Sequence, residues 1–105
     1  PGPHPGLPVS DDTPARLHAI IDGHVQGVGF RAFVLERAES MGLTGYVRNT
    51  YDGQVEVLAE GPRNVLEMLL VYLRRGPRSA FVTEVRQDWQ PPEGNYSRFQ
   101  VLPTA

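Results

Sequence analysis

The sequence has 105 residues, ten basic against twelve acidic side chains, a net charge of −2 and no cysteine. A chain of this length builds one hydrophobic core and not two, and without thiols it holds no disulfide, thiolate metal site or cysteine nucleophile. Every basic residue is arginine, which excludes lysine Schiff bases and the lysine of a P-loop, and an isoelectric point near 5.9 argues against a broad nucleic-acid footprint.

Residues 1–15, PGPHPGLPVSDDTPA, are dense in proline, glycine and small polar side chains, a composition that buries little and predicts a loose tail. His4 in that segment reads as incidental rather than as a ligand. The first residue is proline rather than methionine, so part of the natural N-terminus is expected to precede it. The ordered domain is expected over 16–105. Leu17, Ala19 and Ile21 alternate with His18, Ile20 and Asp22, which predicts a strand with one more polar face. Phe30, Phe33, Val34, Ala38 and Met41 then recur at helical spacing, with Gly42 as the stop.

Thr44 to Asn49 reads as a second strand, Asp52-Gly53 as a tight hairpin turn, and Val55, Val57 and Ala59 as the inward face of the returning strand. Pro62 suits a first helical position, and Val65, Met68, Leu69, Tyr72 and Leu73 are expected to form the apolar stripe of a second helix ended by Gly76-Pro77. Ala80 to Trp89 reads as a long strand and Tyr96 to Leu102 as a short final one, separated by the loop QPPEGN. The order is βαββαβ with a short extra strand. It predicts an α+β, ferredoxin-like sandwich: a mostly antiparallel sheet with two helices on one face.

The segment DGHVQGVGFRAF, residues 22–33, places Gly23, Gly27 and Gly29 just before Arg31, where the strand gives way to the helix. Amides curled ahead of a helix N-terminus make an anion site, and a guanidinium in the first turn can grip two oxygens of a phosphate or carboxylate. The spacing G-x-x-x-G-x-G is neither the dinucleotide fingerprint nor a P-loop. On spacing alone, a simple turn and an anion cradle stand equally open. Asn49, just before the hairpin, reads by itself as turn chemistry.

Other polar residues carry less. His18 and His24 have no cysteine or carboxylate cluster near them in sequence, so no metal site is expected and both read as solvent-facing. Asp22 reads as a surface carboxylate at the edge of the loop. Arg74, Arg75 and Arg78 form a basic cluster where a helix C-terminus attracts cations. No apolar run approaches the roughly 20 residues of a membrane helix and no signal peptide is evident, so a reducing, cytoplasmic setting without membrane contact is expected.

Two blocks carry a resemblance. GHVQGVGFR (Gly23 to Arg31) resembles the first signature of the acylphosphatase family, G-x-V-Q-G-V-x-F-R, and GLTGYVRNTYDGQVEV (Gly42 to Val57) resembles its second, in which G-x-V-R-N precedes an Asp-Gly turn. GPRSAFVTEV (Gly76 to Val85) and the late FQV match weaker parts, and the likeness spans roughly 16–102. It implies the same sandwich and a cofactor-free, metal-independent hydrolysis of carboxyl-phosphate anhydrides to a carboxylate and inorganic phosphate. By the same resemblance Arg31 binds the phosphoryl group and Asn49 positions water. The backbone of Val25, Gln26, Gly27, Val28, Gly29 and Phe30 cradles the phosphate, and Thr50 is a supporting hydroxyl. The implied partner is a small acyl phosphate met by a monomer, with no nucleic acid and no membrane. Tyr46 stands where many members carry tryptophan, Ala19 where some carry tyrosine, and Pro103 where some end in an aromatic. The alternatives are a phosphate-sensing domain without turnover and an RNA-binding module using Tyr46 and Tyr51 as stacking rings.

Overall fold

In a computed structural model, residues 11–105 are described; His4 and the expected tail up to position 10 lie outside them. The elements in chain order are β1 (Pro14–His24), α1 (Phe30–Ser40), β2 (Thr44–Asn49), β3 (Val55–Pro62), α2 (Arg63–Arg75), β4 (Phe81–Gln90) and β5 (Phe99–Val101). β1 starts two residues ahead of the expected Arg16. Just before it, Thr13 O accepts the Arg63 amide at 2.9 Å and Asp11 O accepts the Asn64 amide at 2.8 Å, fastening the entry to α2.

The sheet order is β4-β1-β3-β2-β5, and its pairings are antiparallel except for the parallel β2–β5 edge. This is the predicted α+β, ferredoxin-like architecture. The period-2 pattern sets the register, because Leu17 opposes Ala59, Ala19 opposes Val57 and Ile21 opposes Val55, and all six are fully buried. That apolar face receives Phe30, Val34 and Ala38 of α1, spaced four apart on one side of the helix.

Two expectations for α2 need correction. Pro62 is not its first helical residue: it ends β3 and flanks the helix in an extended conformation, with ψ at 139°. The buried stripe is Leu66, Leu69, Leu70 and Leu73, whereas Met68 is 54 % exposed and Val65 and Tyr72 are only partly covered. The helix is apolar on most sides, and the sheet takes the all-leucine side. Leu69→Ala is therefore expected to cost about 2–5 kcal/mol in urea unfolding, and Met68→Ala less than about 1 kcal/mol.

The opposite face of the sheet carries a polar cluster that alternation alone did not reveal. His18 is not solvent-facing as expected. Its Nε2 lies 2.7 Å from Glu56 Oε2 and its side chain is 29 % exposed; His24, by contrast, is exposed. Arg48 Nε donates to Glu56 Oε1 at 2.6 Å, and the Tyr46 hydroxyl donates to Glu56 Oε2 at 3.3 Å. Burial pushes the Glu56 carboxyl up, but the hydrogen bonds from His18 and Arg48 outweigh it and hold the group below its ordinary value of 4.5. A carboxyl so depressed adds stability above that ordinary value and loses it as pH falls through the lower, folded value. Thermal melts should therefore show a stability loss setting in below about pH 4.5 that is smaller in Glu56→Gln.

Candidate active site

The three glycines at and after the end of β1 do two different jobs. At Gly23 the β1–β4 register slips, with Asp22 opposite Glu84 but Gly23 opposite Val82, and φ is 129°. A Cβ there would strike the Phe81 carbonyl oxygen, so this glycine serves the close approach of two strands. Gly27 and Gly29 have open space around them; what they require is torsional, with φ at 73° and 81°. No non-glycine residue among those described has positive φ, so the sign of φ alternates through Gly27, Val28 and Gly29. Such alternation turns successive N–H groups toward one concavity.

Those donors are unclaimed. The first α-helical bond of α1 runs from the Phe33 amide to Gly29 O at 3.0 Å, which leaves the amides of Phe30, Arg31 and Ala32 orphaned. Gly29 has no side chain with which to cap them. None of the amides of residues 26–32 has a backbone acceptor among the described residues. The α1 dipole adds positive potential at the same point.

These elements enclose a cleft of about 410 Å³. Its polar side consists of Gly27, Gly29, Arg31 and Asn49, and its apolar side of Val25, Phe30, Ala32, Leu35 and Val101. Two residues 18 positions apart in sequence, one in the first turn of α1 and one at the end of β2, thus address one space. Arg31 is exposed and has no ion-pair or hydrogen-bond partner among the described residues. It is the one charged residue lining a cleft that contains no carboxylate.

Asn49 pairs with Val55 of β3 and its carbonyl accepts the Ala105 amide at 3.1 Å, while its side chain has no hydrogen-bond partner among the described residues. The turn chemistry that Asn49 alone would suggest falls to its neighbour. Thr50 Oγ1 accepts the Gln54 amide at 3.1 Å, and the Thr50 amide donates to Gln54 O at 2.9 Å. Thr50 does not line the cleft. Nor do Gln26 and Val28, whose backbone was expected in the cradle.

Gln26 turns its side chain to the hairpin, where Nε2 donates to Thr50 O and Gln54 O at 2.8 Å each. Gln54 in turn donates through Nε2 to Asp22 Oδ1 at 2.7 Å. The glycine loop is therefore strapped to the turn that follows Asn49, which fixes the two polar walls of the cleft relative to each other. The sequence held no local signal for this brace, because its acceptors are backbone carbonyls 24 and 28 residues away. The apolar wall formed by Ala32, Leu35 and Val101 was also unforeseen. Ala32 and Leu35 follow from the i, i+3 geometry of α1, but Val101 arrives only through the parallel pairing of β5 with β2.

The polar cluster on the opposite face lies outside this cleft. Tyr46 is 9% exposed, with the Arg48 guanidinium 5.0 Å above its ring and Tyr96 at a centroid distance of 5.8 Å, so the ring is covered. No group of three or more His, Cys, Asp and Glu side chains among the described residues could hold a metal ion. No helix among them is long and apolar enough to cross a membrane.

Comparison with known proteins agrees with this geometry. The family model described as Acylphosphatase matches residues 17–101. An acylphosphatase of Nocardia farcinica is 49% identical over 83% of this chain and 87% of its own length. One of Thermus thermophilus is 49% identical over 75% of this chain and 90% of its own. The crystal structure of acylphosphatase from Bacillus subtilis superimposes with a TM-score of 0.81 at 38% identity, covering 84% of this chain and 98% of that one. With the family match reaching from within β1 to the end of β5, and relatives close to half identical, the chain belongs to the acylphosphatase family and is a hydrolase.

Proposed function

We propose that this chain hydrolyses small acyl phosphates by direct transfer of the phosphoryl group to water. Water oxygen bonds to phosphorus, the bond from phosphorus to the acyl oxygen breaks, and the products are a carboxylate and inorganic phosphate. The leaving carboxylate has a conjugate acid of pKa about 4, so its departure needs little help from a general acid. What the reaction needs is a grip on phosphoryl charge and an aligned nucleophile.

Arg31 and the cradle amides, with Gly27, Gly29 and the first turn of α1 at its centre, supply the grip. Asn49 aims the water, accepting a hydrogen bond from it through Oδ1 and donating one to it through Nδ2. The released proton passes to a phosphate oxygen of the substrate itself. Thr50 acts indirectly, by holding the hairpin that carries Asn49. What supports this reading is a carboxylate-free cleft lined by Gly27, Gly29, Phe30, Arg31, Ala32 and Asn49, in which the amides of the loop and first helical turn have no backbone acceptor among the described residues and the Arg31 and Asn49 side chains have no partner.

The test is hydrolysis of benzoyl phosphate and acetyl phosphate beside a phosphomonoester, whose alkoxide leaving group would need protonation. The two acyl phosphates should turn over and the monoester should not; equal rates on the monoester, or no release from benzoyl phosphate, would sink the reading. The site needs no metal on this mechanism, so EDTA dialysis should leave the benzoyl phosphate rate within about twofold of its starting value, measured against a metal-repleted control. The enzyme is taken to work as a cytoplasmic monomer without nucleic acid. A chain without thiols is compatible with that compartment, and the burial of Tyr46 weighs against that ring stacking on RNA.

A further inference from the structure

The arginines of this chain divide into two sets. Arg16 pairs with Glu60 and Glu93, Arg48 with Glu56, Arg63 with Glu67 and Arg86 with Asp22, while Arg74 donates to Gln87. Arg31, Arg37, Arg75, Arg78 and Arg98 have no ion-pair or hydrogen-bond partner for their side chains among the described residues. Arg31 faces the cleft. Three of the remaining four, Arg37, Arg75 and Arg78, line a single groove of about 710 Å³ between α1, α2 and the turn that follows α2.

The basic cluster read from the sequence is thus rearranged. Arg74 leaves it for Gln87, and Arg37 joins it from the other helix. Arg37 is held in place: its guanidinium carbon lies 5.2 Å from the Phe33 ring centre and 4.7 Å from that of Tyr72. Stacking on two rings fixes the plane of the fork, while its Nε is buried without a hydrogen-bond partner. Arg37 and Arg75 lie in the last turns of α1 and α2, where the helix dipoles favour cations, but that attraction does not account for two helix ends and Arg78 meeting in one groove that no carboxylate lines. Three guanidiniums gathered without a carboxylate repel one another, and a fixed fork with open donors suits an oxyanion.

We propose that this groove is a second anion site, separate from the catalytic cleft, that takes a pyrophosphate-type ligand of two linked phosphoryl groups. A single phosphoryl group carries about −1.5 to −2 charges, short of three guanidiniums; two linked groups supply the rest. Arg37 forks one phosphoryl group, and Arg75 and Arg78 reach the other from the groove's rim.

The experiment is calorimetric titration with inorganic pyrophosphate at low ionic strength, in an Arg31→Ala background that weakens the cleft's own hold on phosphate. One pyrophosphate should bind per chain, at least tenfold more tightly than orthophosphate. Binding should weaken at least tenfold in Arg37→Gln and measurably in Arg37→Lys, which keeps the charge but loses the fork. Because Arg37 also packs on two rings, the exposed pair Arg75→Gln/Arg78→Gln provides a second test that leaves the core alone. It too should weaken pyrophosphate tenfold, and in the Arg31 parent it should leave benzoyl phosphate turnover unchanged. Absence of pyrophosphate binding would overturn the proposal, as would binding undiminished by the triple loss of Arg37, Arg75 and Arg78. A glutamate-rich peptide binding this groove more tightly than pyrophosphate would overturn it in favour of a protein partner.

Discussion

Arg31→Ala is expected to lower kcat/KM for benzoyl phosphate by about 10³-fold or more while leaving the urea midpoint where it was. A thousandfold loss corresponds to about 4 kcal/mol of transition-state stabilisation, the scale set by removing a guanidinium from a transferring phosphoryl group. The fold should not register the change, because Arg31 is exposed and unpaired among the described residues. Substitutions at such positions stay within about 0.5 kcal/mol. Arg31→Lys separates charge from shape: it keeps the cation but cannot present two parallel N–H groups to two oxygens. Partial recovery in the lysine variant would assign part of the effect to charge alone. Full parental activity in the alanine variant would remove Arg31 from the mechanism.

Asn49→Ala should act on a different constant. We expect kcat to fall about 10²-fold, with competitive inhibition by inorganic phosphate nearly unchanged, since orienting a water contributes to the transition state and not to holding the phosphoryl group. The Asn49 side chain makes no hydrogen bond to the described fold, and the residue is held through its backbone, by its pairing with Val55 and by its carbonyl accepting the Ala105 amide. The alanine variant should therefore melt with the parent. Asn49→Asp is the sharper control, because it retains an acceptor but loses the donor and places a negative charge in the cleft. It should lose phosphate affinity as well as turnover. A fall in phosphate affinity in the alanine variant equal to its fall in kcat would instead make Asn49 a binding group.

Most of the architecture was legible because it is written in local periods. Leu17, Ala19 and Ile21 alternate, and Asp52-Gly53 marks the hairpin. Gly42 and Gly76 close the two helices, and each of these features appears where the pattern placed it. The phase of α2 was not legible. Its residues 65–73 are apolar at nearly every position except Glu67, so two stripes satisfy the helical period equally and only the sheet chooses between them. Pro62 was misplaced for a similar reason, since an extended proline serves the end of a strand as well as the start of a helix. The His18–Glu56 pair joins residues 38 apart through the diagonal of a β1–β3 pairing, a contact no linear spacing announces. At the site, Arg31 and the glycines stood out through their residue types. Asn49 was ambiguous until Thr50 was seen to perform the turn chemistry, and the Gln26 brace was invisible.

β1 lies between β3 and β4, and that order has a consequence for synthesis. The opening strand is flanked by partners that are translated much later, with Arg16 opposite both Glu60 and Gln90. At about 5–20 residues per second, a nascent chain spends several seconds with the first strand made and its second flank still untranslated. The glycine loop leaves directly from that strand, and its exit is shaped by the slip against β4 at Gly23. The ribosome must therefore deliver nearly the whole polypeptide before a working enzyme can exist, and premature termination ahead of β4 should yield an insoluble, inactive fragment.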